Sequence, residues 1–134
     1  MDTVNIKGLI SGLTPLFERY RDRVKFAYLF GSLSKNNYSS LSDIDIAVFL
    51  SAGDRISFFD TRLSMYADIC RSLARNDVDV IILNTIQNII LLDEIIRHGQ
   101  VIYETDKDIR EDFEIRVLHN AIDFKTQRAA IMGI

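Results

Sequence analysis

The chain has 134 residues, a formal net charge of −3 and one cysteine. This length suits one domain with a sizeable core, and the acidic balance speaks against a strong grip on nucleic acid, which calls for a basic face. A lone cysteine leaves no internal disulfide framework and suits a reducing compartment. No apolar run reaches membrane-spanning length, and Met1-Asp2-Thr3-Val4-Asn5 lacks the charged and apolar regions of a signal peptide, so a cytoplasmic location is expected.

In chain order, Val4–Tyr20 has the apolar spacing of a helix, weakened by Gly8, Gly12 and Pro15 toward a break in two. Phe26–Phe30 and Ile44–Leu50 are apolar and aromatic runs of strand length, the first stopped by Gly31 and the second by Ser51-Ala52-Gly53. Asp54 is placed to cap a long amphipathic helix reaching Arg75, with Ile56, Phe59, Leu63, Tyr66, Ala67, Cys70 and Leu73-Ala74 toward one face. A strand over Val78–Leu83 follows, then a helix from Ile86 to His98 with Thr85 as its cap and Gly99 as its stop. Gln100–Glu104 reads as a short final strand. From Asp106 a second long helix carries Ile109, Phe113 and Val117 and ends near Arg128. The pattern predicts an α+β arrangement, a mixed four-stranded sheet with helices packed on it. It forms a single domain over residues 1–134, with a core to about 104 and a helical extension over about 105–134.

Two acids stand out against this background. In Asp43-Ile44-Asp45-Ile46-Ala47-Val48-Phe49-Leu50, side chains alternate, so Asp43 and Asp45 share a face with Ala47 and Phe49. An ionised carboxylate in a half-buried strand is disfavoured without a partner, and a divalent metal is the usual one. Residues two apart rise by about 6.6–6.8 Å along a strand, a spacing from which two carboxylates can share ions about 3.5–4 Å apart. Before them lies a Ser- and Asn-rich loop opened by Gly31-Ser32, with Lys35 its only basic residue. Glycine permits close backbone approach, and hydroxyls and N–H groups donate to phosphate oxygens.

Gly31-Ser32 followed by Ser42-Asp43-Ile44-Asp45 resembles the Gly-Ser…Asp-x-Asp signature of nucleotidyltransferases related to DNA polymerase beta. The short chain looks like the minimal nucleotidyltransferase (MNT) branch of that superfamily. The resemblance implies that a third aspartate, on a neighbouring strand, completes a magnesium site around a nucleoside triphosphate. Val78-Asp79-Val80-Ile81-Ile82-Leu83-Asn84 fits that strand, and Asp79 is an acid within a β-branched run; its rival Asp77 sits beside Asn76 at the entry turn. Asp43, Asp45 and Asp79 are thus the expected metal ligands and catalytic residues, holding two Mg²⁺ ions, with Asp79 also steering the acceptor proton. Gly31, Ser32, Ser42 and Lys35 are the expected nucleotide contacts.

MNT proteins resemble antitoxins encoded beside HEPN-family ribonuclease toxins. The resemblance implies transfer of AMP from ATP to a tyrosine hydroxyl of that toxin, which inactivates it. The amphipathic C-terminal helix would suit docking to such a partner. The alternative is a non-catalytic antitoxin that neutralises its partner by direct binding and keeps a vestigial nucleotide site. Other residues carry less: Cys70 lies on a helical pattern as a small hydrophobe, His98 precedes Gly99 near a helix end, and His119 has no metal-spaced neighbour. Tyr38, in the loop, reads as loop surface.

Overall fold

The computed structural model describes residues 6–31 and 44–133. Its elements are α1 (Ile6–Arg19), β1 (Val24–Phe30), β2 (Ile44–Leu50), α2 (Arg55–Leu73), β3 (Val78–Ile82), a 3₁₀ turn (Leu83–Thr85), α3 (Ile89–His98), β4 (Gln100–Glu104) and α4 (Lys107–Met132). The four strands form one sheet in the order β3-β2-β1-β4. β1 runs antiparallel to both β2 and β4, whereas β2 and β3 are parallel, as their connection through α2 requires. This is the mixed four-stranded α+β architecture the sequence predicts.

Alternation along the strands divides the interior into two cores. Ile44, Ile46, Val48 and Leu50 of β2, with Val78, Val80 and Ile82 of β3, face α1 and α2. The opposite face carries Phe26, Tyr28 and Ala47, covered by Leu92 and Ile95 of α3 and Phe113 and Val117 of α4. Phe26 and Phe49 stack with ring centroids 4.8 Å apart, and Phe113 closes on both at 5.5 and 5.0 Å. On the same side the buried Tyr28 hydroxyl donates to Glu114 at 2.5 Å, and Arg110 binds Glu114 and Glu104 together. α4 is thereby tied to two strands at once.

Several boundaries differ from the sequence reading for identifiable reasons. α1 is unbroken through Pro15, because Leu9, Leu13, Leu16 and Phe17 are buried along its length and packing holds it together. Asp54 caps α2 with a full capping box to Ser57, as expected. The buried face of α2 is nevertheless Thr61, Met65 and Ile69, with Phe58, Cys70 and Leu73 packed alongside. Ile56, Phe59, Leu63 and Tyr66, expected on the core side, are exposed. α3 begins at Ile89 with Asn88 as its cap, accepting from Ile90 and Leu91 N–H, and Thr85 belongs to the 3₁₀ turn instead. The Asn84 side chain causes this delay. Its amide oxygen accepts from Leu50 N–H at 2.8 Å and its amide nitrogen donates to Leu50 C=O at 2.9 Å, imitating one more strand pair after β3 has ended.

Gly99 does stop α3, although its φ is ordinary; a Cβ there would collide with the carbonyl oxygen of Ile95. α4 runs past Arg128 to Met132, where Gly133 ends it in the left-handed conformation. Its last buried residue is Ala121, so Ile122, Phe124, Ile131 and Met132 stand exposed beyond the core. Among the described residues no helix is long and apolar enough to cross a membrane.

Candidate active site

Asp45 is the second residue of β2 and Asp79 the second of β3, and the parallel register sets them directly opposite one another. Adjacent strands lie about 4.8 Å apart, and facing residues project from the same side of a sheet. Their neighbours Ile44, Ile46, Val78 and Val80 all point into the α1–α2 core, so both acids belong to the α3–α4 face, at the end of the sheet. Like charges directly opposite are destabilising in a sheet. Two such acids in apolar strands are a poor structural choice and a good cation site.

Gly31 completes this corner. In the β1–β2 register Phe30 faces Asp45, so the chain leaving β1 passes over the Asp45 carboxylate. Gly31 has φ +82°, and a Cβ at this position would lie 2.5 Å from Asp45 Oδ2. Both the left-handed backbone and the close approach exclude a side chain here. Gly31 is therefore fitted closely against Asp45. Ser32, Lys35, Ser42 and Asp43, the other expected site residues in this stretch, lie outside the described residues, as does Tyr38.

On the other flank the structure adds a residue that the sequence reading missed. Arg62 of α2 reaches the free edge of β3, where its Nε donates to Val80 C=O at 2.6 Å. One terminal nitrogen of its guanidinium stands 3.8 Å from Asp79 Oδ1. Nothing in the local sequence announces this, because the pair is formed across the α2–β3 crossover. Tyr66 lies one helical turn further on, and its hydroxyl is held above the usual phenol range by its hydrogen bond and charge interaction with Cys70 and by the negative charge of Asp79. Asp77, the rival for the third acid, is taken up by Arg75, which grips it through two nitrogens and holds its carboxyl below the usual carboxylate range. The backbone of Asp77 also accepts from Ile44 N–H at 2.9 Å, a strand-entry role. Asp79, not Asp77, is the acid directly opposite Asp45.

The donor set fits a hard divalent cation. Two carboxylates face each other at the mouth of the sheet, and the glycine over Asp45 leaves a cradle that a Cβ would fill. Among the described residues no three His, Cys, Asp or Glu side chains gather into a metal cluster, and Asp43, expected to ligate beside Asp45, lies outside the described residues. Neither histidine joins the corner: His98 lies 3.9 Å from Glu94 on α3, and His119 is exposed on α4. Cys70 is half-buried against the α1–α2 core. Two clefts, one against Leu50, Ser51 and Phe58 and one against Phe49, Leu83 and Phe113, open at the far end of β2 from the acids.

Comparison with known proteins agrees with this fold. The fold is similar to a chain from a crystal structure described as a toxin–antitoxin with AMP-PNP, with a TM-score of 0.73 and 25% identity, covering 92% of this chain and 95% of that one. It is also similar to a chain from the tri-AMPylated Shewanella oneidensis HEPN toxin in complex with MNT antitoxin (TM-score 0.69, 23% identity, 95% of each chain). The toxin–antitoxin MntA–HepT gives 0.68 at 23% identity, covering 95% of this chain and 96% of that one. No curated protein matches. The family model described as "Polymerase beta, Nucleotidyltransferase" matches residues 12–108, which contain Gly31, Asp45, Asp79 and Arg62. The chain therefore belongs to the polymerase beta nucleotidyltransferase family.

Proposed function

We propose that this nucleotidyltransferase is a metal-dependent antitoxin that transfers AMP from ATP to a tyrosine hydroxyl of a HEPN-family toxin. The observation that carries the reading is the facing pair Asp45–Asp79 with Gly31 laid over Asp45. Asp43, Asp45 and Asp79 would hold two magnesium ions, which when bound supply charge neutralisation at the triphosphate and lower the pKa of an attacking hydroxyl. Gly31 and Ser32 contact the triphosphate, with Ser42 and Lys35 as further contacts. The acceptor oxygen attacks the α-phosphorus, the bond to pyrophosphate breaks, and Asp79 takes the acceptor proton.

The partner assignment is supported by the relatives, which were solved as toxin–antitoxin complexes, one of them with a tri-AMPylated HEPN toxin. In this reading the chain acts in the cytoplasm as one catalytic domain, to about residue 104, whose helical extension over about 105–134 meets the partner. Incubation with α-labelled ATP, magnesium and the HEPN protein encoded beside it should label that protein. Failure to label it would remove the assignment.

A second reading is favoured by one observation, the exposed apolar end of α4 at Ile122, Phe124, Ile131 and Met132. Here the chain neutralises its partner by covering it, and its nucleotide site is a relic. Neutralisation that survives the triple substitution of Asp43, Asp45 and Asp79 to Asn, with the toxin unmodified, would establish masking over transfer.

A further inference from the structure

We infer that Arg62 is a positioning residue for Asp79, acting across the open edge of the sheet. The inference rests on the reading of Asp79 as a cation ligand. β3 is an edge strand, and the side chain of Asp79 is 57% exposed, so packing alone does not fix its direction. Arg62 supplies what packing does not. Its own helix lies against the opposite face of the sheet, and the side chain passes round the edge to reach the acid.

Two contacts divide the work along one planar group. Nε is pinned to Val80 C=O at 2.6 Å, which satisfies an acceptor of the edge strand and fixes the plane of the guanidinium. A terminal nitrogen then stands 3.8 Å from Asp79 Oδ1 and draws that oxygen toward the edge. The carboxylate is held in one orientation on the face it shares with Asp45. Outer groups that orient ligating carboxylates are worth about 10–100-fold in metal affinity or activity. The guanidinium also repels a cation, and water screens that repulsion and the pull on Asp79 alike. We place ordering above repulsion because the bond to Val80 C=O holds the guanidinium in place whatever the screening.

A lysine cannot substitute. It carries the charge, but an ammonium on a flexible stem lacks the rigid plane that ties the Val80 C=O contact to the direction of Asp79. A purely structural arginine, needed only to cap the edge carbonyl, would affect stability without affecting the cation. These two roles give different results.

The test is Mn²⁺ binding by the full chain with a non-hydrolysable ATP analogue, read by electron paramagnetic resonance. It is run for the wild type, Arg62→Met, Arg62→Lys, Asp79→Asn and the double variants, with thermal melting of each. Arg62→Met keeps the aliphatic stem against the helix and guards against loss of fold. Arg62→Met and Arg62→Lys should each weaken Mn²⁺ binding about tenfold. Asp79→Asn should weaken it as well, and in the Asp79→Asn background the Arg62 substitutions should add nothing. Unchanged or tighter Mn²⁺ binding in both Arg62 variants overturns the proposal, and so do losses that add to that of Asp79→Asn. If Asp79→Asn itself leaves Mn²⁺ binding unchanged, the reading of Asp79 as a ligand falls first and takes this inference with it.

Discussion

Asp45 and Asp79 face one another across the parallel β2–β3 pair, each one residue inside its strand. The pairing places two carboxylates at one end of one face, and the fold gains nothing from their mutual repulsion. Asp45→Asn and Asp79→Asn should each lower nucleotidyl transfer by about 10²-fold or more, because each removes a charge needed at the developing phosphoryl centre. Stability should stay within about 1 kcal/mol of the wild type, since a like-charge contact is relieved as the carboxylate is lost. Initial rates of transfer and urea melts of the same preparations check both halves.

Gly31 is the tightest point of the corner. Gly31→Ala should be destabilised by about 1–2 kcal/mol from the left-handed backbone alone. Its new Cβ must also displace the Asp45 carboxylate, which it would approach to 2.5 Å. Transfer should therefore fall far more than stability. Gly12→Ala is the control. It lies on α1, and its Cβ would meet nothing closer than Leu73 at 4.0 Å, so it should be neutral or slightly stabilising.

The C-terminal helix is held by its aromatic contact. Phe113 sits against the stacked Phe26–Phe49 pair, and it is buried. Phe113→Ala should cost about 3–5 kcal/mol by cavity formation. Denaturant unfolding followed by circular dichroism measures it, with hydrogen exchange expected to rise first along α4.

The anchor between α3 and α4 makes stability depend on pH. Asp93 is 5% exposed and accepts from Arg97 at 2.8 Å and Lys125 at 3.1 Å. Burial pushes its carboxyl up, but the hydrogen bonds and charges of Arg97 and Lys125 outweigh this and hold it below the usual carboxylate range. A carboxylate with a depressed folded-state pKa stabilises the fold above its unfolded value, near about 4, and loses that contribution as pH falls through the folded value. Melting temperature should thus drop as pH falls below about 4, and Asp93→Asn should flatten that dependence. At neutral pH the variant should lose about 1–2 kcal/mol, because Arg97 and Lys125 are half-exposed and rehydrate once the acid is gone.

How far the sequence carries the account is clearest at particular residues. Asp79 reads apart from Asp77 because an acid inside a β-branched run has no local use; in the structure Asp77 pairs with Arg75, and Asp79 stands opposite Asp45. β2 was readable to the residue, since period-two burial leaves little freedom. The buried face of α2 was not readable. Ile56, Phe59, Leu63 and Tyr66 form one apolar stripe and Phe58, Met65, Ile69 and Leu73 another, and only contact with α1 and β3 chooses between them. Thr85 and Asn88 are both competent caps, and the choice is made by Asn84 bonding Leu50, 34 residues away. Arg62 was invisible for the same reason: its meaning depends on the crossover that brings α2 beside β3.

The central claim is that the Asp45–Asp79 corner transfers AMP to a partner hydroxyl. The most direct measurement is the intact mass of the HEPN partner purified after co-production with this chain, beside a preparation made with Asp45→Asn. The account predicts a mass raised by one or more adenylyl units with the wild-type chain and an unmodified mass with Asp45→Asn. An unmodified partner in both preparations, or a modified one in both, would contradict it.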